Sequence, residues 1–458
     1  MSLNIPADFV EKYNQPGPRY TSYPTVPAWK QPFGDSEYRE ALAALNERPG
    51  DELAIYLHLP FCAKHCFYCG CNALVSREKN AVEVYLDRVE KELAMVTALV
   101  GTNRRVVQFH WGGGTPNYLS ESEVNRALAM FRGAFDIAPD AEVSLEIDPR
   151  IATPEQVASL RAAGFNRISL GVQDFEESVQ VAIGRRQGRE RTLNVYQACR
   201  DAGFPGVNVD LVYGLPGQTR ESFAHTLGEI IELQPDRVAC FSYAHVPWVR
   251  PRQNKVDTTR MLSGYDKFSL FMLTVDLFQD ADYTWIGIDH FAKHNDELSV
   301  ALRDRALHRN FMGYATKPAP HMLAFGMSGI GDVCDRFVQN DAELDTWGTA
   351  IDEGRLPIVK GHKLSDDDRM RRLVILNVMC NLELPWALTE RAFGAPADRL
   401  LAEELKALPP LVEDGLVEVN DRGLRITDKG RYFVRNVAMI FDAYLGGTQD
   451  KPLFSRTV

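Results

Sequence analysis

The chain contains no run of about 18 uninterrupted apolar residues, the length a membrane-spanning helix needs. Its first 25 residues, MSLNIPADFVEKYNQPGPRYTSYPT, carry acids early and have no apolar stretch of the kind a secretion signal requires. Excess positive charge is also missing: 51 Lys and Arg stand against 62 Asp and Glu, a net of −11. That sign disfavours a surface that coats nucleic acid, although it leaves room for a local basic pocket. Cysteine is scarce, with eight in 458 residues, too few to staple a chain of this length. These absences predict a cytoplasmic protein with neither membrane nor nucleic acid as partner, working as a monomer. What is present is a globular balance, 45% hydrophobic and 25% charged, enough for about three domains.

The eight cysteines are unevenly placed. Cys62, Cys66, Cys69 and Cys71 fall within ten residues, whereas Cys199, Cys240, Cys334 and Cys380 are scattered and read as small buried hydrophobes. In a reducing compartment a tight cluster points to metal or redox chemistry before disulfides.

Residues 1–50 read as an irregular N-terminal arm, rich in turn formers and aromatics around PGPRYTSYP (16–24). Six β-rich runs follow, at 52–60, 105–113, 142–148, 167–174, 206–214 and 237–245. They alternate with amphipathic stretches at 81–100, 123–135, 154–164, 189–203 and 219–233. Pro154 after Thr153 suits a helix start, and Gly164 and Gly203 suit helix ends. Alternation at this spacing predicts parallel βαβ units closing into a partial (β/α)6 barrel, an α/β fold. A further strand is expected at 283–293, entering a loop. The barrel and its extension are assigned to 51–350. Residues 360–458 form a mainly helical C-terminal domain with a two-stranded hairpin at 416–430, a winged-helix-like pattern that lacks a basic recognition helix.

Within the barrel strands, side chains alternate faces. Val143, Leu145 and Ile147 oppose Ser144, Glu146 and Asp148; Ile168, Leu170 and Val172 oppose Ser169, Gly171 and Gln173; Val207, Val209 and Leu211 oppose Asn208 and Asp210. The first strand sets Ile55, Leu57 and Leu59 against Tyr56 and His58, and the second sets Val107, Phe109 and Trp111 against Gln108 and His110. Strands covered by helices are normally apolar on both faces, so a polar inner face predicts a lumen that holds a polar ligand. Barrel sites lie at the carboxyl ends of strands, where Glu146, Gln173 and Asp210 fall.

Directly after the first strand stands Cys62-Ala-Lys-His-Cys66-Phe-Tyr-Cys69-Gly-Cys71. Three thiolates at C-x3-C-x2-C can hold three irons of a cubane and leave the fourth open. Zinc prefers four ligands, commonly two C-x2-C pairs, and no second pair exists, so the spacing favours an iron–sulfur site. The second strand ends in His110-Trp-Gly112-Gly113-Gly114-Thr115-Pro116, which lacks the spacing of a dinucleotide fingerprint.

The cysteine spacing and the glycine run after the first two strands resemble the radical S-adenosylmethionine family. PGPRYTSYPT, YLHLPFCAKHCFYCGCN (56–72), NVDLVYGLPGQT (208–219), GIDHFAK (287–293) and LHRNFMGY (307–314) are similar, more narrowly, to the family of oxygen-independent coproporphyrinogen III oxidases (dehydrogenases) over the whole length. The resemblance implies a [4Fe–4S] cluster on Cys62, Cys66 and Cys69, with Cys71 an additional non-ligating cysteine. It implies two S-adenosylmethionine molecules contacted by Tyr56, Tyr68, Gly113, Gly114, Thr115, Glu146, Gln173, Arg185, Asp210, Ala244 and Ile330, with Glu146 and Tyr56 catalytic. The activity implied is decarboxylation of two propionates of coproporphyrinogen III to vinyl groups, giving protoporphyrinogen IX, with an electron donor and an acceptor as partners. Arg19 and Arg309 are candidates for the substrate's carboxylates. Family members often carry Gln where Met312 stands and a Thr pair at Ala315-Thr316, and the stretch 317–320 is unusual. The rivals are a relative doing methyl transfer or haem breakdown, and a non-enzymatic haem-delivery paralogue.

Overall fold

The computed structural model describes residues 3–317, 319–445 and 454–457. Strands occupy β1 Leu53–Leu59, β2 Arg104–Gly113, β3 Phe135–Ile147, β4 Arg167–Gln173, β5 Gly206–Tyr213, β6 Arg237–Ser242, β7 Tyr283–Gly287, β8 His290–Lys293, β9 His308–Asn310, β10 Gly313–Ala315, β11 His321–Phe325, β12 Ile330–Val333, β13 Arg336–Asn340, β14 Ile358–Lys363, β15 Glu383–Pro385, β16 Val417–Asn420 and β17 Gly423–Ile426. β1 to β6 run in parallel order, as the alternation predicts, with helices between them. Those helices begin where the sequence supplies a cap: Ser120 with Glu123, Thr153 before Pro154, and Thr219 with Ser222 each satisfy free N–H groups of a first turn. Val143, Leu145, Ile168, Leu170, Val207 and Val209 are buried in the main core, so the apolar strand faces pack as the alternation requires.

The sheet extends beyond the six strands. Its order is β14-β13-β12-β11-β1-β2-β3-β4-β5-β6-β8-β7. β11 pairs with β1 in parallel, and β12 to β14 continue as an antiparallel meander. On the other edge, residues 283–293 form a complete β7–β8 hairpin rather than one strand running into a loop. β3 begins at Phe135, earlier than the expected residue 142, because Phe135 and Ile137 already pair with β2.

The first 50 residues are more ordered than an irregular arm. They contain helices Ala7–Tyr13 and Asp35–Asn46. The second buries Tyr38, Ala41, Leu42 and Leu45, an i, i+3, i+4, i+7 stripe that packs on helix Ala81–Val100. Between the helices the chain is held by the C-terminal region. Arg435 Nε donates to Pro18 O at 2.9 Å, Asn436 Nδ2 to Tyr13 O at 2.8 Å and Tyr20 Oη to Asp442 at 2.9 Å, while the Tyr20 and Tyr23 rings are fully buried.

The C-terminal region follows helix Asp366–Asn381, which starts on a Ser365–Asp368 capping box. Residues 416–430 supply the β16–β17 hairpin, and β15 adds a third strand to it. Among the described residues no helix is long and apolar enough to cross a membrane.

Candidate active site

The carboxyl ends of β1 to β6 open into a cavity of about 500 Å³. Its wall includes Cys62, Cys66, Cys69 and Cys71 from the loop after β1, Gly114 and Thr115 after β2, and Glu146 and Asp148 around the end of β3. Gln173, Arg185 and Asp210 come from β4, β5 and the segment between them, and Tyr68, Ala244 and Arg19 are also in the wall. Tyr56, Gly113, Ile330 and Arg309 are not in this wall. Tyr56 lies behind it: its hydroxyl is 3.1 Å from His58 Nδ1 and its ring stacks on His110. Gly113, at φ +110°, packs so closely on the His58 ring that a Cβ there would come within 2.6 Å of it. Ile330 packs against the Trp29, Phe337 and Leu364 cluster, and Arg309 is buried over the Tyr314 ring.

Several backbone features aim the polar ends inward. A register shift in β4 between Gly171 and Gln173 leaves Gln173 at φ +70°, a left-handed conformation that a non-glycine residue rarely adopts and that recurs at functional sites. Asp210 accepts from Ser169 Oγ at 3.0 Å. Burial pushes its carboxyl up to about 7, and the nearby Glu146 charge adds to the shift. Gly114 is fixed by contact: a Cβ would stand 2.5 Å from the Pro60 carbonyl, so this turn lies directly on the backbone leading to the cysteines.

Arg150, which carries no signal in the sequence beyond a charge after β3, is part of the site. Its Nη2 is 2.6 Å from Asp148 and 3.5 Å from Cys66 Sγ. Arg185 meets the same carboxylate at 3.2 Å and the same sulfur at 3.5 Å, and donates to Gly171 O at 2.7 Å. Burial alone would raise the Asp148 carboxyl, but Arg185 and Arg150 outweigh it and hold it below the usual range. The loop after β6 grips the cysteine loop from the other side: Gln253 Nε2 donates to Tyr68 O at 2.7 Å, and Arg250 Nε to Gly70 O at 2.7 Å.

Residues 56–230 match the Radical SAM superfamily model and residues 364–433 that of the HemN C-terminal domain. The oxygen-independent coproporphyrinogen III oxidase of Salmonella typhimurium is 41% identical over 98% of this chain and 97% of its own length. The one from Synechocystis is 40% identical over 100% and 99%. This chain belongs to the oxygen-independent coproporphyrinogen III oxidase family. A solved structure described as coproporphyrinogen III oxidase (HemN) from Escherichia coli, a radical SAM enzyme, superposes with a TM-score of 0.91 at 39% identity, covering 97% of this chain and all of that one. The chain is therefore a radical SAM enzyme, and its cofactors are a [4Fe–4S] cluster and S-adenosylmethionine.

The residues present suit both groups. Three thiols share one cavity with two guanidiniums beside Cys66, and that positive charge suits an anionic thiolate-bound cluster. Among the described residues no three His, Cys, Asp or Glu side chains converge as one metal ion would demand. Thiols that each bind a different iron have no need to converge. The inner carboxylates Glu146 and Asp210 suit a cationic sulfonium, and the glycine turn permits close backbone approach.

Proposed function

We propose that this chain converts two propionate side chains of coproporphyrinogen III to vinyl groups, giving protoporphyrinogen IX and two CO2, with two S-adenosylmethionine molecules serving the two events. Cys62, Cys66 and Cys69 hold the cluster. When bound, the cluster and S-adenosylmethionine would supply one-electron radical chemistry that takes a hydrogen atom from the propionate β-carbon, with CO2 and one further electron then leaving, the electron to an acceptor. Glu146, Gln173 and Asp210 orient the cofactor from the strand ends; Tyr68, Gly114, Thr115 and Ala244 shape its berth, and Arg185 fixes Asp148 and the Cys66 side of the loop. Tyr56 stacks on His110, whose Nε2 stands 3.7 Å from Glu146, and is assigned a catalytic part with that carboxylate. Gly113 and Ile330, which lie outside the cavity wall, enter as cofactor contacts from the family resemblance alone.

The observation that carries this reading is Arg19. It stands in the arm that the full-length relatives share, it lies in the wall of the cavity that holds the three thiols, and its guanidinium, anchored on Asp289 at 2.8 Å, borders the space a tetracarboxylate would enter. Nothing comparable recommends methyl transfer, haem breakdown or haem delivery. The reading includes a division into an arm (1–50), a catalytic barrel with extension (51–350) and a C-terminal domain (360–458), acting as a monomer in the cytoplasm; eight unpaired cysteines suit a reducing compartment. The test is anaerobic incubation of the cluster-loaded protein with coproporphyrinogen III, S-adenosylmethionine and a reductant. Loss of two CO2 together with four hydrogens from the porphyrinogen supports it, whereas loss of CO2 alone, a gained methyl mass or an unchanged substrate overturns it.

A further inference from the structure

The electron that starts each turnover has to enter near the cysteine loop, where Gly70 and Cys71 are exposed. The loop after β6 lies against that segment and has unusual surface chemistry. Residues 246–260 carry Arg250, Arg252, Lys255 and Arg260 against the single acid Asp257, in a chain whose overall net charge is −11. The arginines are directed at neutral acceptors: Arg250 Nε at Gly70 O, 2.7 Å, and Arg252 Nη2 at Ala73 O, 3.3 Å. Lys255 Nζ lies 5.3 Å over the Phe67 ring, within the cysteine motif itself. Lys64 is exposed on the same motif. These contacts fix the cations in place without cancelling their charge.

Beside them are two large apolar side chains in water, Trp248 at 48% and Val249 at 56% exposure. An exposed tryptophan and valine on the same loop as these held cations have the make-up of an anchor for a transient partner: apolar centre, charged surround. We infer that this face, Trp248 and Val249 with Lys64, Arg250 and Lys255, docks an acidic one-electron carrier protein that reduces the cluster. The inference rests on the function proposed above and supplies its missing partner. The exchange is one electron: the carrier is oxidised by one, the cluster reduced by one, and no bond is made or broken between the proteins. Charge complementarity selects the occupant, since a net-acidic carrier is repelled by the chain's net charge of −11 and attracted to this cationic face. Such encounters need only a small, salt-sensitive interface.

The probe is a purified flavodoxin, an acidic FMN protein, titrated into the cluster-loaded chain at two ionic strengths. The Lys255→Glu variant should weaken binding roughly threefold to fivefold, as for an exposed ion pair. Trp248→Ser should weaken it about tenfold, as for an interface anchor. Both variants should be reduced by dithionite as fast as the parent, while reduction by flavodoxin falls in step with binding. Unchanged flavodoxin affinity in both variants overturns the inference. So does equal loss of reduction by dithionite, which would mean a damaged cysteine loop. A raised KM for coproporphyrinogen III under dithionite, with flavodoxin binding intact, assigns the face to substrate recruitment instead. Binding and cluster reduction are read without turnover, so failure of the decarboxylation assay leaves this test standing.

Discussion

Asp148 and Arg185 form a buried ion pair at 3.2 Å, and Arg150 holds the same carboxylate at 2.6 Å. One acid thus joins two cations whose guanidiniums both reach Cys66 Sγ. Removing the shared partner leaves two buried cations facing each other. Asp148→Ala should therefore cost about 3–5 kcal/mol, the range for a broken buried pair, read by anaerobic denaturation. Arg150→Ala, which leaves the Asp148–Arg185 pair intact, should cost clearly less.

The three cysteines should be separable from the fourth. Changing Cys62, Cys66 or Cys69 to Ala should abolish binding of about four irons and four sulfides per chain. Cys71→Ala should retain most of that iron, because Cys71 is an exposed position whose backbone N–H donates to Cys69 Sγ. Iron and sulfide analysis after anaerobic reconstitution checks both. Stoichiometric zinc in protein purified without oxygen would sink the cluster assignment.

Two glycines near the cysteines make opposite steric predictions. A Cβ at Gly114 would collide with backbone at 2.5 Å, whereas at Gly70 nothing lies within 4 Å. Gly114→Ala should displace the β2 turn from the β1 loop and weaken S-adenosylmethionine binding at least tenfold, about 1.4 kcal/mol. Gly70→Ala should leave affinity within twofold. Equilibrium binding of the cofactor to both variants decides the matter.

Asp210 predicts a pH dependence. Its folded pKa of about 7 lies above the ordinary 3.8, so the folded chain holds a proton that the unfolded chain releases. Its contribution to stability is therefore fully present below about pH 4 and is lost as pH rises through about 7. An arriving sulfonium favours the ionised carboxylate, so cofactor affinity should increase from pH 6 to 8. Asp210→Asn should flatten that rise. A profile unchanged in Asp210→Asn would show that this carboxyl does not carry the rise. Ala at Glu146, Gln173 or Asp210 should each slow cofactor cleavage with the cluster spectrum intact.

Arg19 separates substrate from cofactor. It donates to Asp289 at 2.8 Å and to Ser242 O at 3.1 Å while lining the cavity. Arg19→Gln should lower kcat/KM for coproporphyrinogen III more than tenfold and leave S-adenosylmethionine affinity unchanged. Deleting residues 1–25 is a blunter experiment, since it also uncovers the core that Tyr20 and Tyr23 fill.

The barrel was readable from the sequence because two physical periods overlap there. Alternating Val, Leu and Ile gave each parallel strand, and capped helices spaced them. The polar partners of those apolar residues pointed to Glu146, Gln173 and Asp210 before any coordinates. The extension β11 to β14 escaped because its strands are short and fully or mostly buried, with turns at Ser328, Cys334 and Asp335 in positive-φ conformations that those residue types do not advertise. Helix Asp35–Asn46 was hidden by the turn-rich segment before it. Arg150 was unreadable for another reason: a charged residue after a strand is ordinarily solvated, and only the fold brings Asp148, Arg185 and Cys66 to it.

The place of β11 beside β1 has a consequence for biogenesis. By the time residue 242 leaves the ribosome, all six parallel strands exist, yet β1 still has one bare edge. Its partner, His321–Phe325, ends 83 residues behind the end of β6 (325 − 242), a delay of roughly 4–17 s at ordinary synthesis rates. Throughout that interval the strand that leads into the cysteine motif presents unpaired amides and carbonyls, a template for pairing with a neighbouring nascent chain. The moment of greatest aggregation hazard thus falls on the segment that must receive iron, and insertion of the cluster before β11 arrives would meet a loop with only half of its supporting sheet.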